Sequence, residues 1–226
     1  MIRYLLVSLL FCTPLCAKKH IFCIHGFMRG KGCMKAIEMS LRYDRHDVIN
    51  WDYQSKQKTI EEHANDLVLD LIDYANQYPR DEIDFVTHSL GAIIVRSAIN
   101  HPDCPDLAKR GRAVLIAPPN QGSILARKLG KISIVRRWFG DHAGRELIET
   151  EEGGFDRYGP FPMSMDLVII AGTLGYNPML KGPNDGKVLT KETRLNRPHE
   201  YMEVKGDHSW IAYHPSVVKK VREFYH

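Results

Sequence analysis

The stretch "IDFVTHSLGAIIVR", residues 83–96, decides how this chain is read. The run "IDFV" leads into "THSLG", and a second apolar run, "AIIV", follows at once. The first run reads as a strand buried on both faces, and the residues after Ser89 read as a helix. A junction this tight needs small residues beside the turn, and Gly91 supplies one. In a parallel sheet, ligands bind outside the carboxyl ends of the strands. Ser89 lies at such an end, beside the free N–H groups of a helix start. One reading is a polar cap on a strand-to-helix turn. The other is a nucleophile, as in the pattern G-x-S-x-G, with Thr87 standing where the first Gly would be. Thr is larger and β-branched, which predicts a slightly more open turn.

On both sides of this stretch, strand-like runs alternate with helix-like segments. "HIFCIHG" from His20, ending at a Gly, "DVINWDY" from Asp47, "RAVLIAPP" from Arg112, stopped by two prolines, "DLVIIAGT" from Asp166 and "YMEVKG" from Tyr201 read as further strands. Residues 31–42, 59–78, 90–100 and 215–224 read as helices. In 59–78 the apolar positions Ile60, Ala64, Leu67, Val68, Leu71, Ile72 and Ala75 fall on one stripe. Thr59 with Glu62 makes a capping box, and Pro79 ends the run. Alternation of this kind predicts a doubly wound, mostly parallel α/β sheet with helices on both faces. Residues 132–166 break the rhythm between the fourth and fifth strands. They read as a lid-like, irregular insertion in a domain spanning 18–226. Its aromatics Trp138, Phe139, Phe155, Tyr158 and Phe161 are expected to shape an apolar site.

A serine hydroxyl needs a base, and the base needs an orienting acid. Asp185, in the Gly-bounded turn "NDGKV", follows the fifth strand, and His208, in "DHSW", follows the sixth. The order Ser, Asp, His and the loop positions suit a relay. Asp207 adjoins His208 and is poorly placed to reach its neighbour's Nδ1. Glu192, His199 and His214 are more distant rivals. The developing oxyanion calls for two N–H donors. Leu90 supplies one, and Phe27 in "HGFMRG" after the first strand supplies the other. Gly26 lets that loop approach closely. His25 is expected to brace it, and His88 to orient the turn or pack beneath it.

The 226 residues are 44% hydrophobic and 26% charged, with a net charge of +4, which fits one globular domain. No basic stripe interleaved with aromatics points to nucleic acid. No clustered ligand pattern points to a metal, and no cofactor is called for. Residues 1–17, with Arg3, a short apolar centre and Ala17, resemble a secretory signal peptide. That reading predicts an exported protein, periplasmic, secreted or envelope-associated; an uncleaved membrane anchor is the alternative. Cys23 reads as a small buried hydrophobe, and pairing of Cys33 with Cys104 is left open.

Taken together, "HGFMRG", "THSLGAIIVR", "APPNQGS", "AGT", "NDGKV" and "DHSWIAYHP" resemble, in order, the α/β-hydrolase superfamily, specifically its small bacterial lipase- or esterase-like members. The resemblance covers nearly everything after the signal-like segment. It implies a serine hydrolase of an acyl or lipid ester, with Ser89, His208 and Asp185 as catalytic residues and an insertion that shapes the acyl pocket. The same residues would serve an acyltransferase, thioesterase or amidase. A non-catalytic lipid-binding protein of the same fold is the rival from another class, and contact with a membrane surface is left open.

Overall fold

A computed structural model of the chain describes residues 19–226, so the signal-like residues 1–17 lie outside the described residues. The strands are β1 His20–Ile24, β2 Asp47–Trp51, β3 Ile83–His88, β4 Ala113–Ile116, β5 Leu167–Gly172 and β6 Glu200–Val204. They form one sheet in the order β2-β1-β3-β4-β5-β6. Every pairing is parallel, with Ile24 opposite Thr87 where β1 meets β3. The helices are α1 Lys35–Tyr43, α2 Ile60–Gln77, α3 Leu90–Ile99, α4 Asp106–Lys109, α5 Ile124–Gly130, α6 Ser133–Phe139, α7 Ala143–Glu149, α8 Thr190–Thr193 and α9 Pro215–Tyr225.

The pleat sorts the two cores. Successive side chains of a strand point to opposite faces. Phe22 and Ile24 of β1 pack with α2 and α3, while Ile21 and Cys23 pack with α1 and α9. This double burial is why the strands read as unbroken apolar runs. At about 25 cal/mol per Å² of buried apolar surface, such a two-sided core is the main stabilising term. The capping box is present at the start of α2: the Thr59 hydroxyl accepts from the Glu62 N–H, and Glu62 accepts from the Thr59 N–H. The strand order reverses between β1 and β3, because β1 runs outward to β2 on one side and the chain returns to β3 on the other. The crevice at that reversal lies between the loop after β1 and the turn after β3, and it is where a ligand belongs.

The insertion is more regular than its sequence. Instead of irregular chain, residues 132–166 carry α6, α7 and a 3-10 turn, Gly154–Tyr158. Each piece is too short for a period to show, and Gly140, Gly153 and Gly159, all with positive φ, interrupt them. The helical cover begins earlier than 132, at α5, whose Ser123 cap accepts from the Ala126 N–H. The five aromatics divide. Phe155 and Phe161 are buried in the core on the α3 face, and Tyr158 packs against it. Trp138 and Phe139 alone of the five turn to the crevice. Cys23, Cys33 and Cys104 are free thiols, so the Cys33–Cys104 pairing left open above does not form.

One buried carboxyl gives the fold a pH signature. Asp84 of β3 is buried, and its Oδ1 accepts from the Arg112 N–H at 2.7 Å. Its Oδ2 has no hydrogen-bond partner, and the Arg112 guanidinium stays 3.8 Å away. Burial raises its pKa to about 6, against the pull of Arg112. An unfolded Asp titrates near 3.9, so between about pH 4 and pH 6 the unfolded chain has released a proton that the folded chain keeps. This group's contribution to stability is present below pH 4 and is lost as pH rises to about 6, by on the order of 3 kcal/mol. Asp84→Asn should remove that loss. Urea midpoints of the variant relative to the parent at pH 4 and pH 7 measure it, and an equal difference at both would refute the assignment.

Candidate active site

The turn after β3 is strained. Ser89 has φ 53° and ψ −121°, a conformation that costs a non-Gly residue about 1–3 kcal/mol. Tertiary contacts hold it. The Ser89 N–H donates to the Ile116 carbonyl of β4 at 2.8 Å, and its carbonyl accepts from the Ala92 N–H. Room beside it comes from two glycines. A Cβ on Gly26 would lie 2.9 Å from the Ser89 Cβ, and one on Gly91 would lie 2.6 Å from the Ile24 carbonyl oxygen. Thr87 is wholly buried, so the bulk at the first-Gly position points into the core.

The structure brings the three polar candidates together. His208 Nε2 is 3.0 Å from Ser89 Oγ, and its Nδ1 is 2.7 Å from Asp185 Oδ2. All three residues are buried. Asp185 Oδ1 accepts from the backbone N–H groups of Lys187 and Val188, which fixes the carboxylate plane. The Asp185 carbonyl also accepts from the His208 N–H at 2.9 Å, so Asp185 and His208 are tied through backbone as well as side chain. Gly186, with φ +96°, makes that turn.

The rivals are occupied elsewhere. Asp207 accepts from the Ser209 N–H. Glu192 is buried and accepts from the N–H groups of Ile124 and Leu189, tying α5 to the loop before α8. His199 meets the Arg197 carbonyl, and His214 caps α9. The tether that Glu192 provides was not legible in sequence, since a lone Glu signals nothing about its partners.

The supporting residues have defined work. His25 is buried: its Nδ1–H donates to the Gly26 carbonyl at 3.0 Å, and Nε2 faces Asp52 Oδ1 and the Tyr53 N–H. Its ring stacks on Tyr53 at 4.2 Å, whose hydroxyl donates to the His25 carbonyl. Burial holds His25 below the usual histidine range. His88 sits against His208: its Nε2–H donates to the His208 carbonyl at 2.9 Å, and the rings lie 4.9 Å apart. Burial and the neighbouring His208 push its pKa well down, so it is neutral. In the loop after β1, the Met28 N–H donates to Ser55 Oγ and the Arg29 N–H to the Gly26 carbonyl. The Phe27 N–H between them meets no acceptor among the described residues. Leu90 opens α3, so its N–H has no partner within the helix either.

Above Ser89 and His208 lies a cavity of about 510 Å³. One wall is apolar, built from Leu125, Leu129, Val135, Trp138, Phe139 and Leu147 of the helical cover. Phe27 stacks on Phe139 at 5.3 Å and joins the two sides. Arg29 and Lys187 also line it. Sequence reading missed both as site residues, although each stands inside a quoted motif, "HGFMRG" and "NDGKV". Among the described residues, no helix is long and apolar enough to cross a membrane, and no cluster of His, Cys, Asp and Glu is suited to a metal ion.

No family model and no curated protein sequence matches the chain. Solved structures do. The mature form of Bacillus licheniformis lipase BlEst2 is similar at a TM-score of 0.72 and 18% identity, over 92% of each chain. Phospholipase PlaB from Legionella pneumophila is similar at 0.68 and 13% identity, over 91% of this chain and 59% of that one. Est1E from Butyrivibrio proteoclasticus is similar at 0.60 and 17% identity, over 94% of this chain and 89% of that one. Sheet order, the strained turn after β3 and these likenesses agree: the chain has the α/β-hydrolase fold.

Proposed function

We propose that this protein is a serine hydrolase of carboxylic esters that carry an apolar acyl group. The observation that supports it most is the continuous relay from Ser89 through His208 to Asp185, opening onto an apolar wall. In this reading His208 takes the Ser89 proton as Oγ attacks the acyl carbonyl. The negative oxygen is met by the N–H groups of Phe27 and Leu90. His208 then protonates the leaving alcohol, and water, deprotonated by His208 in turn, releases the acyl group from Ser89. Asp185 holds the imidazole with Nδ1 protonated. The neutral His88 keeps a second cation away from the imidazolium. The names of BlEst2, a lipase, and PlaB, a phospholipase, agree with this chemistry. Export led by residues 1–17 belongs to the same reading, and one similar structure is named an extracellular alpha/beta-hydrolase from a Paenibacillus species.

The helical cover is then the acyl-binding element. Trp138 is 58% exposed, lies beside Phe139 and lines the cavity, so its ring is held by few neighbours and is available to a chain. Trp138→Ala should weaken long-chain esters relative to acetyl esters by about 1–3 kcal/mol in the ratio of kcat/KM. Using one variant on two substrates cancels a general loss. An equal effect at both lengths would mean that the ring only packs.

A further inference from the structure

The catalytic cavity holds two cations and no carboxylate in its lining. Arg29 donates from Nη2 to the Ser209 carbonyl at 2.8 Å, one residue past His208. It forms no ion pair among the described residues. Lys187, two residues past Asp185, stands at the rim; its backbone N–H is bound to Asp185, but its ammonium has no hydrogen bond or ion pair among the described residues. The carboxylates closest in sequence have other partners, Asp185 with His208 and Asp207 with the Ser209 N–H. Partial burial and the nearby Arg29 guanidinium lower the Lys187 pKa, against the weaker pull of Asp185 and Asp207, neither of which forms an ion pair with the ammonium. Two like charges facing one cavity repel, and an anion between them would turn that cost into attraction.

Their side of the cavity says which half of a substrate they meet. His208 Nε2 must hand its proton to the leaving oxygen, so the alcohol half lies toward His208. Arg29 is held at Ser209 and Lys187 on the Asp185 turn, the two segments that carry the base and the acid. The apolar wall belongs to α5, α6 and α7 instead. Guanidinium and ammonium groups together suit the oxygens of a phosphate or a carboxylate.

We propose that Arg29 and Lys187 form an anion-binding subsite on the leaving-group side of Ser89, so that the preferred substrate is an acyl ester of an alcohol bearing a phosphate or a carboxylate. The proposal rests on the ester-hydrolase reading given above. It makes Arg29 and Lys187 specificity determinants of the reaction.

The test compares octanoyl esters of glycerol, glycerol phosphate, glyceric acid and choline. The parent protein should favour one of the anionic esters over the glycerol ester by about tenfold or more in kcat/KM, as charge-assisted hydrogen bonds allow. The choline ester should be the poorest. Arg29→Gln and Lys187→Gln should each lower the anionic-to-neutral ratio, and the double variant should bring it near one. The ratio is taken within each variant, so a general loss of activity cancels. Preference for the phosphate or for the glycerate identifies the anion. A parent ratio at or below one, or a ratio unchanged in the double variant, overturns the subsite.

A second measurement does not need turnover. The Ser89→Ala protein should bind an octyl ether of glycerol phosphate or glyceric acid more tightly than the octyl ether of glycerol, and adding Arg29→Gln and Lys187→Gln should abolish the difference. If the parent hydrolyses no ester yet shows this binding difference, the hydrolase reading fails and the subsite stands. Equal binding of all the ethers removes the subsite.

Discussion

Ser89→Ala should lower kcat for ester hydrolysis by about 10⁴-fold or more, equivalent to roughly 5.5 kcal/mol of transition-state stabilisation. His208→Ala should do the same, and the double variant should be little worse than either, because the hydroxyl and its base act as one unit. The 3.0 Å contact between His208 Nε2 and Ser89 Oγ is the geometric reason. Asp185→Ala should cost less, on the order of 10³–10⁴, since the base still meets the nucleophile but loses the partner that fixes its tautomer. Asp207→Ala should have a small effect, its carboxylate being turned to the Ser209 N–H. A fluorophosphonate probe should label the parent at Ser89 and leave Ser89→Ala unlabelled. Full turnover in Ser89→Ala would sink the mechanism. A large loss in Asp207→Ala with none in Asp185→Ala would move the acid.

The second large effect is expected at a residue with no chemistry of its own. Gly91→Ala places a Cβ 2.6 Å from the Ile24 carbonyl oxygen, 2.8 Å from the His25 carbonyl oxygen and 2.9 Å from Ile24 Cγ2. In an open helix the same change would stabilise by about 1 kcal/mol. Here two of the three contacts are backbone, which cannot turn away as a flexible side chain can. Overpacking of this kind costs about 1–3 kcal/mol or more, so the clash outweighs the propensity. The displacement also separates Ser89 and Leu90 from the loop that carries Phe27. A misplacement of about 1 Å is enough to lower kcat by roughly 10²-fold. The variant should show both a lower melting temperature and a lower kcat measured well below that temperature. Gly32→Ala is the control, because nothing lies within 4 Å of its added Cβ. If Gly91→Ala behaves like Gly32→Ala on both readouts, the close approach of α3 to β1 does not matter to the site.

The layers and the order of the parts are written in local sequence patterns. Continuous apolar strands such as "HIFCI" could be read because both faces of β1 are covered, by α2 and α3 on one side and by α1 and α9 on the other. α2 could be read because its stripe and its capping box are local patterns of 3.6-residue period. Ser89, Asp185 and His208 could be named because each follows a strand, and a parallel sheet carries such loops to one edge. What joined them was decided by tertiary structure alone. That Asp185, and not the distant Glu192, meets the His208 ring depends on the turn that Lys187 and Val188 hold on Asp185 Oδ1 and on the His208 N–H docking on the Asp185 carbonyl. The helical cover looks irregular in sequence because seven-residue helices separated by glycines hold too few turns to show a period. Its aromatics form one group in sequence, whereas folding sends Phe155 and Phe161 into the core and leaves Trp138 and Phe139 over the site. Arg29 and Lys187 are of the same kind: they are far apart along the chain, and the packing of the sheet brings both to the lining of one cavity. Period and order are local and survive in one dimension, whereas partnership depends on which loop ends meet in space.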